Sequence, residues 1–157
     1  MRFRFVAHPG IFTFATRIAQ YGSWPTHAEF DLGDGHYIGT MFKDGVQIRK
    51  YEYDGGNFLR EQFIEIEASP EQETEFRKFL ISQIGKPYDV WAVASFIFAD
   101  WFNYCREWNF DDSWFCSEYL AAGLAVSGLL SDQLSVKASH ISVRDLMILV
   151  SSRVKVK

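Results

Sequence analysis

At Ser69-Pro70-Glu71-Gln72 the sequence changes from strand patterns to helix patterns, and this change decides the fold class. A serine N-cap, a proline in the first helical position and a glutamine three residues after the serine form a capping box. Upstream, polar and apolar residues alternate as in half-buried strands, whereas downstream the apolar residues recur at helical spacing. Strands followed by helices predict an α+β fold, with helices packed against one face of an antiparallel sheet.

The predicted sheet has about four to six strands, and five of them are bounded by turn residues. These strands are predicted over residues 2–7, 26–32, 36–42, 46–53 and 58–67. Helices are predicted over residues 11–20, 69–84, 90–104, 115–127 and 142–150. Neither a repeat nor a linker interrupts the pattern, so one domain is predicted over residues 1–157.

The composition is typical of a globular protein, and the net charge argues against one class of partner. Hydrophobic residues make up 48% and charged residues 23%, which is sufficient for a packed core. The net charge of −4 and the pI of about 5.5 argue against a nucleic-acid partner, which requires a basic face. The short basic runs are interpreted as solvated termini: Arg2 with Arg4, and Arg153 with Lys155 and Lys157.

The number of cysteines and the hydropathy pattern predict a cytoplasmic location. The two cysteines, Cys105 and Cys116, are too few for a disulfide scaffold and lack the spacing of a zinc site, so no metal is expected. The first residues lack the apolar stretch of a signal peptide, and the longest apolar run, residues 90–99, is too short to cross a bilayer. We therefore expect a cytoplasmic protein without a transmembrane segment.

Cys116 opens one of the predicted helices and is the candidate nucleophile. Helix N-termini carry partial positive charge and unpaired N–H groups, which favour a thiolate. The same N–H groups can receive the oxyanion that forms when a carbonyl is attacked. Cys105 has no such position and is interpreted as structural, as is Glu118, whose charge suits the first turn of the helix.

His27 is the candidate base because it opens a strand, and a strand holds a side chain more rigidly than a loop does. The other histidines lie at turns or in a serine-rich link and are interpreted as surface residues: His8, His36 and His140. The expected hairpin register puts Thr40 beside His27, with Glu29 one step along the same face. A group there would hold the imidazole in the tautomer that accepts the thiol proton.

Three short motifs together resemble the circularly permuted papain-like fold of the NlpC-type superfamily. They are Thr26-His27-Ala28-Glu29 on a strand, Gly85-Lys86-Pro87-Tyr88-Asp89 before a helix, and Phe115-Cys116-Ser117-Glu118-Tyr119 opening the next helix. The permuted branch includes lecithin:retinol acyltransferase-like proteins and small bacterial and phage cysteine hydrolases. In that branch the histidine strand precedes the cysteine helix, as it does here. The resemblance extends over roughly residues 8–150.

The resemblance implies a role for each matching residue. Cys116 becomes the nucleophile and His27 the general base, and Tyr88 matches a tyrosine that lies near the cysteine in related enzymes and can assist oxyanion binding. The third catalytic position of the superfamily, commonly His, Asn, Gln or Glu, falls in a stretch that offers only the Thr40 hydroxyl. Three alternatives follow: Thr40 orients His27, Glu29 does so from the same strand, or the dyad acts alone.

The implied activity is hydrolysis of an amide bond in a peptide or peptidoglycan-type substrate by a bacterial or phage protein, through a thioacyl-enzyme and without a cofactor. Two alternatives stay open. One is a lipid or thioester acyl hydrolase or acyltransferase on the same dyad, and the other is a non-catalytic binding module in which Cys116 is inert. The aromatic segment 88–119 is interpreted as core or as an apolar cleft wall, which favours an acyl or aromatic substrate.

Overall fold

The computed structural model describes residues 1–90, 113–130 and 141–154, and these form five strands and four helices. The strands are β1 (Arg2–Ala7), β2 (His27–Asp31), β3 (His36–Met41), β4 (Gly45–Lys50) and β5 (Arg60–Glu65). The helices are α1 (Ile11–Ala19), α2 (Pro70–Ser82), α3 (Cys116–Val126) and α4 (Val143–Ser151). The α+β class is confirmed. The helix predicted over residues 90–104, together with Cys105 and His140, lies outside the described residues.

The strands form one antiparallel sheet in the order β4-β3-β2-β1-β5. β1 and β2 run side by side near the middle, with Phe3 opposite Phe30 and Arg4 opposite Glu29. Because paired residues share a face and successive residues alternate, these pairs lie on opposite faces of the sheet. One face is apolar and the other carries charged side chains.

The apolar face is covered by helices, which close the core. α3 packs against β2, β3 and α2, and α4 packs against α3 and β5. The rings of Phe3, Phe30 and Phe76 meet edge to face with centroids 4.9–5.7 Å apart. The hydroxyl of Tyr119 donates a hydrogen bond to the carbonyl of Leu80 at 2.8 Å, which fixes α3 along α2.

Local signals in the sequence account for where the helices begin. In α2, Ser69 Oγ accepts the N–H of Gln72 while the Gln72 side chain accepts the N–H of Ser69, which is the predicted capping box. A second capping box, between Ser142 and Asp145, opens α4. Across the part of the chain that the structure describes, every helix is too short or too polar to cross a bilayer.

Gly123 allows α3 to approach α2 closely. A Cβ at this position would lie 2.9 Å from Cε2 of Phe76, whose ring is fully buried. We expect Gly123→Ala to destabilise the protein by about 1–3 kcal/mol by urea denaturation, because the core is overpacked there. Ala125→Gly on the exposed side of α3 is the control, expected to cost about 1 kcal/mol from helix propensity alone. If Gly123→Ala stabilises the protein, as alanine does in an open helix, the close packing is refuted.

Candidate active site

Cys116 is the first residue of α3 and is buried, with 1% of its surface exposed. The chain before it is anchored to the segment that carries Tyr88. The N–H of Trp114 donates to the carbonyl of Pro87 at 3.0 Å, and the N–H of Asp89 donates to the carbonyl of Trp114 at 3.1 Å. These bonds hold the thiol at the N-terminus of α3, the position predicted from the sequence.

His27 is the first residue of β2, and its side chain lies near that of Cys116, close enough for Cys116 to raise the pKa of the imidazole. Pairing of His27 with Val6 on β1 keeps the base on the sheet rather than on a loop. Its side chain is 12% exposed. The structure therefore brings together the two residues that the sequence analysis selected as nucleophile and base.

Glu29 also lies beside the imidazole. Its Oε1 is 3.4 Å from Nε2 of His27, and the two residues share a face of β2 because they are two positions apart. Cys116 and Glu29 thus both act on the same imidazole. Of the three alternatives for the third position, this geometry favours Glu29.

The proton affinities of His27 and Glu29 shift in opposite directions. Burial alone lowers the pKa of His27, but its contacts with Cys116 and Glu29 outweigh burial and raise the pKa to about 9. Burial alone raises the pKa of Glu29, whereas His27, Arg49 and Arg4 lower it to about 2. At neutral pH the pair is therefore an imidazolium next to a carboxylate.

Glu29 is fully buried, and its two oxygens are satisfied by different partners. Oε1 accepts a hydrogen bond from Nη2 of Arg49 at 2.6 Å. Oε2 accepts one from Nη1 of Arg4 at 3.0 Å and another from the hydroxyl of Tyr53 at 3.1 Å. Burial and the neighbouring charge of Glu29 also raise the pKa of Tyr53, so its hydroxyl stays protonated and donates.

Arg4 contacts three carboxylates at once. Besides Glu29, its Nη2 donates to Asp54 and its Nε donates to Glu61, both at 2.6 Å. Arg4 is 1% exposed, so its interpretation as part of a solvated terminus is wrong. The alternation of β1 was the available signal. Phe3 and Phe5 point to the core, so Arg4 between them points to the opposite face of the sheet, the face of Glu29.

Thr40 does not lie beside His27 as predicted. A Cβ on Gly39 would lie 3.2 Å from Cγ of Glu29, so Gly39 faces Glu29 and the next residue, Thr40, faces the opposite side of β3. Thr40 is fully buried, and its Oγ1 has no hydrogen-bond partner among the residues that the structure describes. The predicted register of the β2–β3 hairpin was displaced by one residue, and such a displacement moves every side chain of β3 to the opposite face of the sheet.

Tyr88 lies close enough to Cys116 for the two groups to interact electrostatically. Its ring meets the ring of Phe115 at 6.0 Å and that of Phe42 at 5.7 Å. Burial first, then Cys116 and Asp89, raise the pKa of Tyr88 well above its ordinary value. Its hydroxyl is therefore protonated near neutral pH, as an oxyanion donor must be, and that role stays a prediction.

His8 was interpreted as a surface residue, yet it lies next to the candidate site. Its ring centroid is 6.1 Å from that of His27, and its Nε2 is buried without a hydrogen-bond partner within the described part of the chain. Burial and the charge of His27 lower the pKa of His8. A neutral imidazole therefore lies beside the imidazolium of His27.

Glu118 fits its predicted structural role, because one of its carboxylate oxygens accepts the N–H of Phe115, the N-cap residue of α3, at 3.4 Å. Burial raises the pKa of Glu118 to about 7.

No group of three His, Cys, Asp or Glu side chains that could hold a metal ion occurs in residues 1–90, 113–130 and 141–154.

No family model matches the chain, and no curated protein matches it significantly. The likeness to permuted papain-like enzymes therefore stays a prediction from the three short motifs.

Replacing Glu29 with glutamine is expected to lower the pKa of His27 by about 1–2 pH units, because the neutral amide stabilises the imidazolium less. The measurement is a 15N NMR titration of histidine-labelled protein. Glu65→Gln, which removes an exposed carboxylate from β5, is the matched control and should leave the titration unchanged. If the titration midpoint of His27 is the same in Glu29→Gln as in wild type, Glu29 does not raise the pKa of the imidazole.

The same shifts predict how stability depends on pH. The raised pKa of His27 contributes stability that is complete below its ordinary value of 6.5 and is lost as the pH rises through about 9. The lowered pKa of Glu29 contributes stability that is complete above 4.5 and is lost as the pH falls through about 2. Urea denaturation across this range should therefore show wild type losing its advantage over His27→Gln as the pH rises from 6.5 to 9. A constant difference between the two proteins contradicts the prediction.

Proposed function

We propose that this chain is a cysteine hydrolase in which Cys116 is the nucleophile, His27 the general base and Glu29 the residue that orients the base. The observation that carries the proposal is the proximity of the His27 imidazole to the thiol at the N-terminus of α3, with the Glu29 carboxylate beside the ring. A nucleophile, a base and an orienting group close together are what nucleophilic catalysis requires.

Acylation proceeds by attack of the Cys116 thiolate on the carbonyl carbon of the substrate. The new S–C bond forms as the carbonyl electron pair moves to oxygen, and the N–H groups of the first turn of α3 lie at the end where that charge develops. When the intermediate collapses, the C–N bond breaks and the leaving amine takes the proton of the His27 imidazolium. The products are a thioester on Cys116 and a free amine.

Deacylation uses His27 in its neutral form. A water molecule adds to the thioester carbon and gives a proton to the imidazole. The C–S bond then breaks, its electron pair returns to Sγ of Cys116, and the acyl group leaves as a carboxylic acid. The imidazolium and thiolate with which the cycle began are restored.

The proposed substrate is an amide of a peptide or peptidoglycan-type molecule, by resemblance to the permuted papain-like enzymes. Tyr88, which is near enough to Cys116 to interact with it electrostatically, is half-buried, and its ring contacts that of Phe42, which is 46% exposed. Exposed aromatic surface there favours a substrate with an apolar group next to the scissile bond. The run over residues 91–99, which would form a lipid-facing surface in an acyl hydrolase, lies outside the described residues.

Alkylation by iodoacetamide at about pH 6 tests whether Cys116 is activated, because an ordinary buried thiol does not react there. We expect rapid modification of Cys116 in wild type, followed by mass spectrometry, and a loss of at least about tenfold in His27→Ala, where the thiolate has no counter-ion. His140→Ala is the control and should stay within about twofold of wild type. Slow alkylation of wild type, or a larger loss in His140→Ala than in His27→Ala, is incompatible with the proposed base.

Substrate assays then separate the chemical classes. Short peptides and p-nitrophenyl acyl esters are incubated side by side with wild type and Cys116→Ala. Hydrolysis of peptides supports the amidase, whereas hydrolysis of esters alone supports the acyl hydrolase. Trapping of a thioester on Cys116 identifies the intermediate in either case. Activated alkylation without turnover of any substrate would indicate the binding module.

A further inference from the structure

Two positively charged groups compete for a single oxygen of Glu29. Nη2 of Arg49 lies 2.6 Å from Oε1, whereas Nε2 of His27 lies 3.4 Å from the same atom. Nε2 is buried and makes no hydrogen bond to any residue that the structure describes, so its contact with Glu29 is an ion pair off the hydrogen-bond axis. Arg49 therefore makes the stronger interaction with Oε1.

Arg49 has no other hydrogen-bonding role within the described part of the chain. Its Nε and Nη1 are buried without hydrogen-bond partners, and its guanidinium stacks on the ring of Tyr53 at 4.3 Å. A buried donor without a partner costs free energy, so packing alone would favour an apolar residue at this position. The one directed bond of Arg49 is to Glu29, which points to a role at the site.

Arg4 cannot act in the same way. It binds the other oxygen of Glu29, Oε2, and its remaining nitrogens are held by Asp54 and Glu61. Arg4 therefore anchors the carboxylate, whereas Arg49 acts on the oxygen that faces the base.

We propose that Arg49 is a positioning residue of the site, which draws Oε1 of Glu29 partly away from His27 so that the imidazole, once it has given its proton to the leaving group, stays neutral for deacylation. This inference rests on the proposed function, because it concerns the second half of that reaction. Arg49 touches neither Cys116 nor the reacting carbonyl, and it acts through Glu29.

The physical reason lies in the charges that face His27. Among the described residues these are the side chain of Cys116 on α3, which raises the pKa of the ring, and the carboxylate of Glu29 on β2, with neutral His8 beyond the end of β1. In the thioacyl-enzyme the sulfur is uncharged, so Glu29 alone favours reprotonation of the ring. The guanidinium of Arg49 offsets that carboxylate and binds its nearer oxygen, which keeps the ring available as the neutral base that water requires.

The direct test uses protein whose Cys116 has been carbamidomethylated, since the alkylated sulfur is uncharged like that of the thioester. The His27 titration is followed by 15N NMR in wild type, Arg49→Gln and Arg49→Lys. We expect the midpoint in Arg49→Gln to rise by about one pH unit, because Oε1 is freed to pair with Nε2. Arg49→Lys keeps a cation at Oε1 and should titrate close to wild type.

Arg77→Gln is the matched control. Arg77 binds Glu73 at 2.7 Å along α2, so its loss removes a partly exposed arginine–glutamate ion pair away from the site. Its His27 titration should match that of wild type. An unchanged or lowered midpoint in Arg49→Gln, with the Arg77→Gln control unchanged, overturns the proposal. If Arg49→Gln fails to fold, Arg49→Lys still tests the proposal. Its His27 midpoint is expected to stay close to that of wild type, so a shift of one pH unit in this variant contradicts the proposal.

Kinetics give a second readout that loss of stability would not produce. Stopped-flow assays with a p-nitrophenyl ester separate the acylation burst from the slower deacylation. We expect Arg49→Gln to keep its burst rate, to deacylate about tenfold more slowly near neutral pH, and to recover at higher pH. Equal slowing of both steps overturns the positioning role. Absence of any burst in wild type counts against the proposed function, while the titration still decides the inference about Arg49.

Discussion

The buried carboxylate of Glu29 is the constraint on which the rest of the site depends. A carboxylate with no exposed surface is stable only if cations and hydrogen-bond donors replace its water. Those partners come from four places: Arg4 on β1, His27 on β2, Arg49 on β4 and Tyr53 after β4. Correct register of the sheet is therefore a condition for satisfying Glu29, and the same register brings the imidazole to Cys116.

Charge balance explains why His27 favours its protonated form. Arg4 and Arg49 supply two positive charges, while Glu29, Asp54 and Glu61 supply three negative ones, which leaves one negative charge in this cluster. An imidazolium at His27 neutralises it. The cluster thus favours the imidazolium form of the ring that lies near Cys116. Because these charges are buried, salt screens them weakly.

Within the described residues the sequence predicted the strands, the helix starts and the proximity of Cys116 to His27, but it did not predict the polar face of the sheet. Alternation and capping are local, so Cys116 and His27 could be located from their neighbours in the chain. The place of Thr40 depends on which positions of β2 and β3 face each other, and a displacement of one residue moved it to the other face, whereas Glu29 shares the face of His27 because both lie on β2. Arg4 was missed because charge near a chain end usually lies in water, and its burial follows from the contacts with Asp54 and Glu61, far away in the sequence.

A charged network of this kind is a poor way to gain stability, since apolar side chains of similar volume often serve a core better. Its location also differs from that of the hydrophobic core, which lies on the other face of the sheet between Phe3, Phe30 and the helices. The sheet therefore separates two tasks. Packing of the apolar face holds the fold, while the polar face sets the orientation and proton affinity of one histidine at the end of β2. A substitution on the polar face can then change the chemistry of Cys116 without disturbing the core that positions it.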